Sequence, residues 1–126
     1  MNEFIETLVE YLNNNFEWDT LHLKISIQPK SINYKPKFFL DNERIPFRLK
    51  SEMKNYIMDT VQKKHIQSTK NGKNKWNFAN LTLYPDGSHE IEYIWNQDHQ
   101  DEVDGYNREA EEEDPNYKAP KWHWEE

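Results

Sequence analysis

Pro85-Asp86-Gly87 separates two runs of alternating side chains, and no other feature restricts the fold of this chain as much. In residues 76–84, Ala79, Leu81 and Leu83 share one parity, and in residues 88–95, Ile91, Tyr93 and Trp95 do. Strands alternate their side chains between two faces, so each run has one apolar face. Proline suits the second position of a tight turn, and glycine the position that needs positive φ. Pairing Tyr84 with Ser88 sets Leu81 opposite Ile91 and Ala79 opposite Tyr93. Both apolar faces then coincide, whereas a one-residue slip would turn one of them to water.

The preceding chain adds four elements. Phe4, Ile5, Leu8, Val9, Leu12 and Phe16 recur at helical spacing, and Asn13-Asn14-Asn15 is a poor helix former, so a first helix is expected to end there. Leu21, Leu23, Ile25 and Ile27 alternate with His22, Lys24 and Ser26 until Pro29, which predicts a half-buried strand. Tyr34, Pro36, Phe38 and Leu40 share a parity in a second strand, and Pro36 places its early part at a sheet edge. Leu49, Met53, Tyr56, Ile57, Thr60, Val61 and Ile66 then mark one face of a second helix near residues 51–67, with Ser51 as its N-cap. Ser68 to Lys75 is polar and contains Gly72, which reads as an exposed loop. The order α-β-β-α-β-β predicts an α+β fold: an antiparallel sheet of about four strands with both helices on one face.

This assigns residues 1–97 to a single domain and residues 98–126 to an acidic, aromatic-containing C-terminal extension. With Val103, Ala110 and Ala119 as its only aliphatics among Tyr106, Tyr117, Trp122 and Trp124, the extension has no core of its own. It either lies on the domain through its aromatics or orders on a partner. The 126 residues suffice for one core, and aromatics at 14% argue against a disordered chain. The absence of Cys excludes disulfides, a thiolate nucleophile and Cys-ligated zinc. The first residues lack the basic start of a secretory signal, and no apolar run reaches membrane-spanning length, so the expectation is a soluble protein of the cytoplasm with no membrane partner.

Charge is segregated. Residues 1–19 carry −5, residues 20–75 carry +9, residues 76–97 carry −3 and residues 98–126 carry −8, for a net −7. Phosphate repels such a chain, which disfavours direct nucleic-acid binding and favours a basic protein partner. The acidic segment alternatively serves solubility or folds back on the basic middle. Catalytic signatures are missing. The five histidines stand outside metal-binding spacings and read as surface residues, and His99 among Asp98, Asp101, Glu102 and Asp104 lacks the order of a calcium loop, reading instead as a solvated acidic turn. Isolated glycines form no phosphate-binding loop, and no serine has a nucleophile-elbow context. Neither catalytic residues, a cofactor nor a metal is therefore expected. What the residues do offer is a recognition surface of aromatics among carboxylates, able to seal a contact and to pair with Arg and Lys.

The first helix ending near Glu17-Trp18, the middle helix, Trp76 leading into a strand, the Asp86-Gly87 turn and the aromatic strand at Tyr93 to Trp95 together resemble the YezG-like immunity proteins of bacterial polymorphic toxin systems. The similarity spans residues 3–96; the tail ending in Trp122-His123-Trp124 has no counterpart in it. The resemblance implies a cytoplasmic, non-enzymatic antitoxin that binds a secreted toxin domain, often a nuclease. Joined to the charge pattern, it gives a candidate toxin interface: Trp95, Asp98, Asp101, Glu102, Asp104, Tyr106, Glu109, Glu111, Glu112, Glu113, Asp114, Trp122 and Trp124. The expected complex is one-to-one with a monomer. A secretion chaperone or assembly adaptor that binds without inhibiting, and more distantly a small enzyme, remain as other readings.

Overall fold

The first helix of the computed structural model, which describes residues 2–125, is α1 (Asn2–Asn15), and it stops at the asparagine run. Asn13 uses its side chain at this stop: its carbonyl accepts the Trp18 indole N–H at 3.0 Å, and its amide donates to the Pro85 carbonyl at 3.1 Å, tying the helix end to the hairpin turn. Three strands follow, β1 (Thr20–Gln28), β2 (Ser31–Leu40) and the short β3 (Glu43–Ile45), then α2 (Ser51–Ser68), β4 (Phe78–Leu83), β5 (His89–Ile94) and α3 (Gln97–Glu113). The strands form one antiparallel sheet in the order β3-β2-β1-β4-β5.

The hairpin register is the expected one. Leu81 pairs with Ile91 and Ala79 with Tyr93. Tyr84 N–H donates to the Ser88 carbonyl and Gly87 N–H to the Tyr84 carbonyl, both at 3.0 Å, and Gly87 has φ +88. A Cβ at Gly87 would touch nothing within 4 Å, so what a side chain would meet there is backbone strain alone. Pro36 also behaves as expected, because β3 covers only Phe38 to Leu40 of β2 and leaves residues 31–37 as an edge.

One face of the sheet carries the core. Leu21, Leu23, Ile25 and Ile27 of β1 and Ala79, Leu81 and Leu83 of β4 are buried together with Phe4, Ile5, Leu8 and Leu12 of α1 and Met53, Ile57 and Val61 of α2. The stacked pair Phe4–Tyr56, at 5.9 Å, joins the two helices over that face.

Five expectations need correction. The sheet has a fifth strand, β3, made possible by a tight turn at Asp41 and Asn42, both at positive φ. The stretch from Asp98 to Asp104, expected as an acidic turn, is the first half of a third helix, Gln97–Glu113. Lys50, without a side-chain bond, is the N-cap of α2, and Ser51 is its first residue. Ile66 is 42% exposed, and His65 takes the buried place on that helix at 4%. Within the Ser68–Lys75 loop, Thr69 is wholly buried.

Candidate protein-binding surface

A buried amide starts α3. Asn77, with no exposed surface, donates from Nδ2 to the Asn96 carbonyl at 2.9 Å and accepts the Asn96 N–H at 2.6 Å, while its backbone N–H donates to Ile94 and its carbonyl accepts from Ile27. Both ends of its side chain are thus satisfied, as burial requires. Asn96, held in this way, accepts the His99 N–H at 3.0 Å and caps the helix. The direction of α3 is therefore set from within the sheet.

One side of α3 is half-covered, by His99, Gln100, Val103, Asn107 and Ala110. His99 meets the Phe78 ring edge-on at 4.9 Å. Gln100 and Asn107 of this stripe bond the returning C-terminal segment. Asp114 and Pro115 end the helix, Tyr117 N–H donates to the Asp114 carbonyl, and the Tyr117 hydroxyl donates to Asn107 Oδ1 at 3.0 Å. Farther on, the Trp122 indole N–H donates to Gln100 Oε1 at 3.2 Å.

Trp122 then enters the core, only 4% exposed, and stacks on Trp124 with ring centres 4.7 Å apart and planes 9° apart. Trp95 lies 6.1 Å from Trp122 and 6.4 Å from Trp124, and Lys75 Nζ sits 5.5 Å over the Trp124 ring. The extension thus packs on the domain, and the core continues past residue 97.

His65 is the centre of this packing. Its Nε2–H donates to the Trp76 carbonyl at 2.9 Å, and its ring lies within 6 Å of Trp76, Trp122, His123 and Trp124. Thr69 donates its hydroxyl to the His65 carbonyl, so it accepts from His123 Nε2 at 2.7 Å, which fixes the His123 tautomer. Burial, and secondarily the neighbouring His123, hold the His65 pKa below the ordinary histidine value, against an opposing contribution from the Trp76 carbonyl. The unfolded chain therefore takes up a proton here before the folded one does. Stability from this site is complete above the unfolded histidine pKa of about 6.5 and is lost as pH falls below it. Urea midpoints measured from pH 8 down to pH 5 should decline, and His65→Gln should flatten that decline even if it lowers stability throughout.

The candidate interface residues now separate into two groups. Asp98, Asp101, Glu102, Asp104, Glu109, Glu111, Glu112, Glu113 and Asp114 are exposed along α3 and its cap, with Tyr106 among them at 72%. Trp122 is core, and Trp95 and Trp124 are half-buried in the indole cluster, so the tryptophans belong in whole or part to the domain's own packing. Asp98, Glu102, Tyr106, Glu109 and Glu113 share the side of α3 turned away from the protein. Sequence reasoning missed Asn77, Asn96, Gln100 and His65; of these, Asn96 carried a signal as a cap residue with Asp98 in the following turn.

This helix is charged against its own interest. It holds eight carboxylates and one Arg, and Asp98–Glu102 and Glu109–Glu113 are like charges at i, i+4. Glu111, Glu112 and Glu113 also stand at the negative end of the helix dipole, with no basic residue in the last turn.

Among the described residues, no three His, Asp or Glu side chains converge as a metal site requires. A depression of about 100 Å³ under the Pro29-Lys30 turn is lined by Ile27, His65, Trp122 and His123, and a wider one of about 650 Å³, lined by Asn107, Glu111, Tyr117 and Lys121, opens between α3 and the C-terminal segment. No described helix is long and apolar enough to cross a membrane. Compared with known proteins, the chain matches no family model and no curated protein.

Proposed function

We propose that the chain is a protein-binding inhibitor that sets the outer side of α3 against a basic surface of its partner, as a cytoplasmic immunity protein would cover the nucleic-acid cleft of a nuclease toxin. The self-repelling acidic helix around exposed Tyr106 is the observation that carries this reading. Packed carboxylates at i, i+4 and at the wrong end of the dipole cost helix stability, and opposed Arg and Lys side chains would turn that cost into attraction. Tyr106 supplies a large, stiff contact at the centre of the stripe, of the kind that dominates binding energy. Toxin recognition itself comes from the sequence resemblance.

Association with a toxin partner should slow as salt shortens the screening length from about 30 Å to about 8 Å. Replacing Glu109, Glu112 and Glu113 together by Lys should lower the association rate by roughly tenfold or more, while Tyr106→Ala should act on dissociation and cost about 1–3 kcal/mol. Stopped-flow mixing reads both. A salt-independent rate unaffected by the charge reversal would remove α3 from the interface. Binding that leaves the toxin active would assign the chain to the adaptor class.

A further inference from the structure

Among the described residues no helix lies over the centre of the sheet's second face, whose exposed charges are segregated across it. Two rows cross it. Pairing places Lys37, His22, Thr82 and Glu90 side by side on β2, β1, β4 and β5, and Lys35, Lys24, Asn80 and Glu92 in the next row. All are exposed except Thr82, which is half-buried and lies 3.3 Å from His22 Nδ1. Lys24 stands directly opposite Lys35, a pair of like charges that opposes sheet formation, and His22 stands opposite Lys37. The face is therefore basic along β1 and β2 and acidic along β5. At one corner of the face the Phe78 ring is met by His99 from the first turn of α3 and by Lys24 Nζ at 5.8 Å.

A half-turn about an axis running along the strands between β1 and β4 lays β2 of one copy over β5 of the other, and β1 over β4. The rows keep their level in this operation. Lys37 then meets Glu90 of the second copy, Lys35 meets Glu92, His22 meets Thr82 and Lys24 meets Asn80, and each contact occurs twice. Stacked sheets lie about 10 Å apart, a gap that Lys and Glu side chains reaching from opposite faces can span. We propose that this face is the isologous interface of a two-fold dimer of this chain. A nucleic acid would meet Glu90, Glu92 and the nearby acidic α3, and an acidic peptide on β1 and β2 would leave the β5 carboxylates unused. A second copy matches both halves. The contact side of α3 stays free, so a partner bound there would give a two-to-two complex in place of the one-to-one complex expected from the sequence.

The test uses two double variants of the full chain, both confined to exposed positions: Lys35→Glu with Lys37→Glu, which makes the face acidic, and Glu90→Lys with Glu92→Lys, which makes it basic. Sedimentation across a concentration series should show a salt-sensitive dimer for the parent chain. Each variant alone should weaken that dimer by at least about tenfold, because attractive contacts become repulsive. The two variants mixed should form a heterodimer, and the four changes combined in one chain should restore the homodimer. Far-ultraviolet circular dichroism confirms folding, and the mixing step gives a gain of association that misfolding cannot mimic. A monomeric parent, or a dimer that survives in either variant, overturns the proposal. So does a monomer that retains poly-aspartate or single-stranded RNA through Lys35 and Lys37, which would assign the face to an acidic protein or to nucleic acid.

Discussion

Leu81→Asp should prevent the chain from folding stably, and Thr82→Asp, one residue later, should leave its urea midpoint almost where it was. Leu81 is 2% exposed, pairs with Leu23 on one side and Ile91 on the other, and faces the core beneath α1 and α2. A carboxylate there has no partner within the apolar cluster. It must either remain charged in a medium that does not solvate it or take up a proton and still bury an unsatisfied group, at a cost of about 4 kcal/mol or more. Domains of this size are stable by about 5–15 kcal/mol, so the loss removes much of the total. Thr82 points to the other face, between exposed His22 and Glu90, where a carboxylate on the monomer keeps its water and the change stays within about 0.5 kcal/mol. Paired urea titrations decide the matter. Equal losses for the two variants in the monomer, below the concentration at which the chain pairs, would mean that both faces of the sheet are closed within a single chain.

The contrast between these neighbours shows why the strands were legible. Period-two patterning with a strong turn between two runs leaves a single register, and β1, β4 and β5 carry that pattern over six residues or more. β3 has three residues, too few for alternation to show, and its only trace was the Asp41-Asn42 dipeptide. On α2 the i, i+4 series Met53, Ile57, Val61 runs on to position 65, but histidine at that position reads as polar, and the apolar place was given to Ile66 one step around the helix. The hydrogen bond to the Trp76 carbonyl that makes His65 compatible with burial depends on chain eleven residues away.

Hydrophobic periodicity could not find α3 for a different reason. The side it turns inward is His99, Gln100, Val103, Asn107 and Ala110, and much of its attachment is by hydrogen bonds from Tyr117 and Trp122. Of the candidate site, the exposed carboxylates and Tyr106 were legible from composition, because charge this dense stays in water on a helix or a loop alike. The tryptophans were not. An aromatic tail gives no sign in one dimension of whether its rings meet the chain's own core or another molecule.

For that reason Trp122→Ala should have a large effect on stability, whatever it does to binding. The side chain is 4% exposed, stacks on Trp124, contacts the His65 ring at 5.4 Å and donates to Gln100. Removing it leaves a cavity among His65, Trp95 and Trp124 and strands the Gln100 acceptor, a loss of about 3–5 kcal/mol. At the entropy of unfolding of a chain this long, that corresponds to a melting temperature roughly 10–20 °C lower. The C-terminal segment should detach with it, since the Trp122–Gln100 bond and the His123–Thr69 bond fix the same short stretch. Tyr106→Ala should do the reverse: a ring already 72% exposed contributes little to folding, so the melting temperature should hold while partner affinity drops. Calorimetry of both variants separates platform from contact face. An unchanged melting temperature for Trp122→Ala would place the indole outside the core and return it to the binding surface.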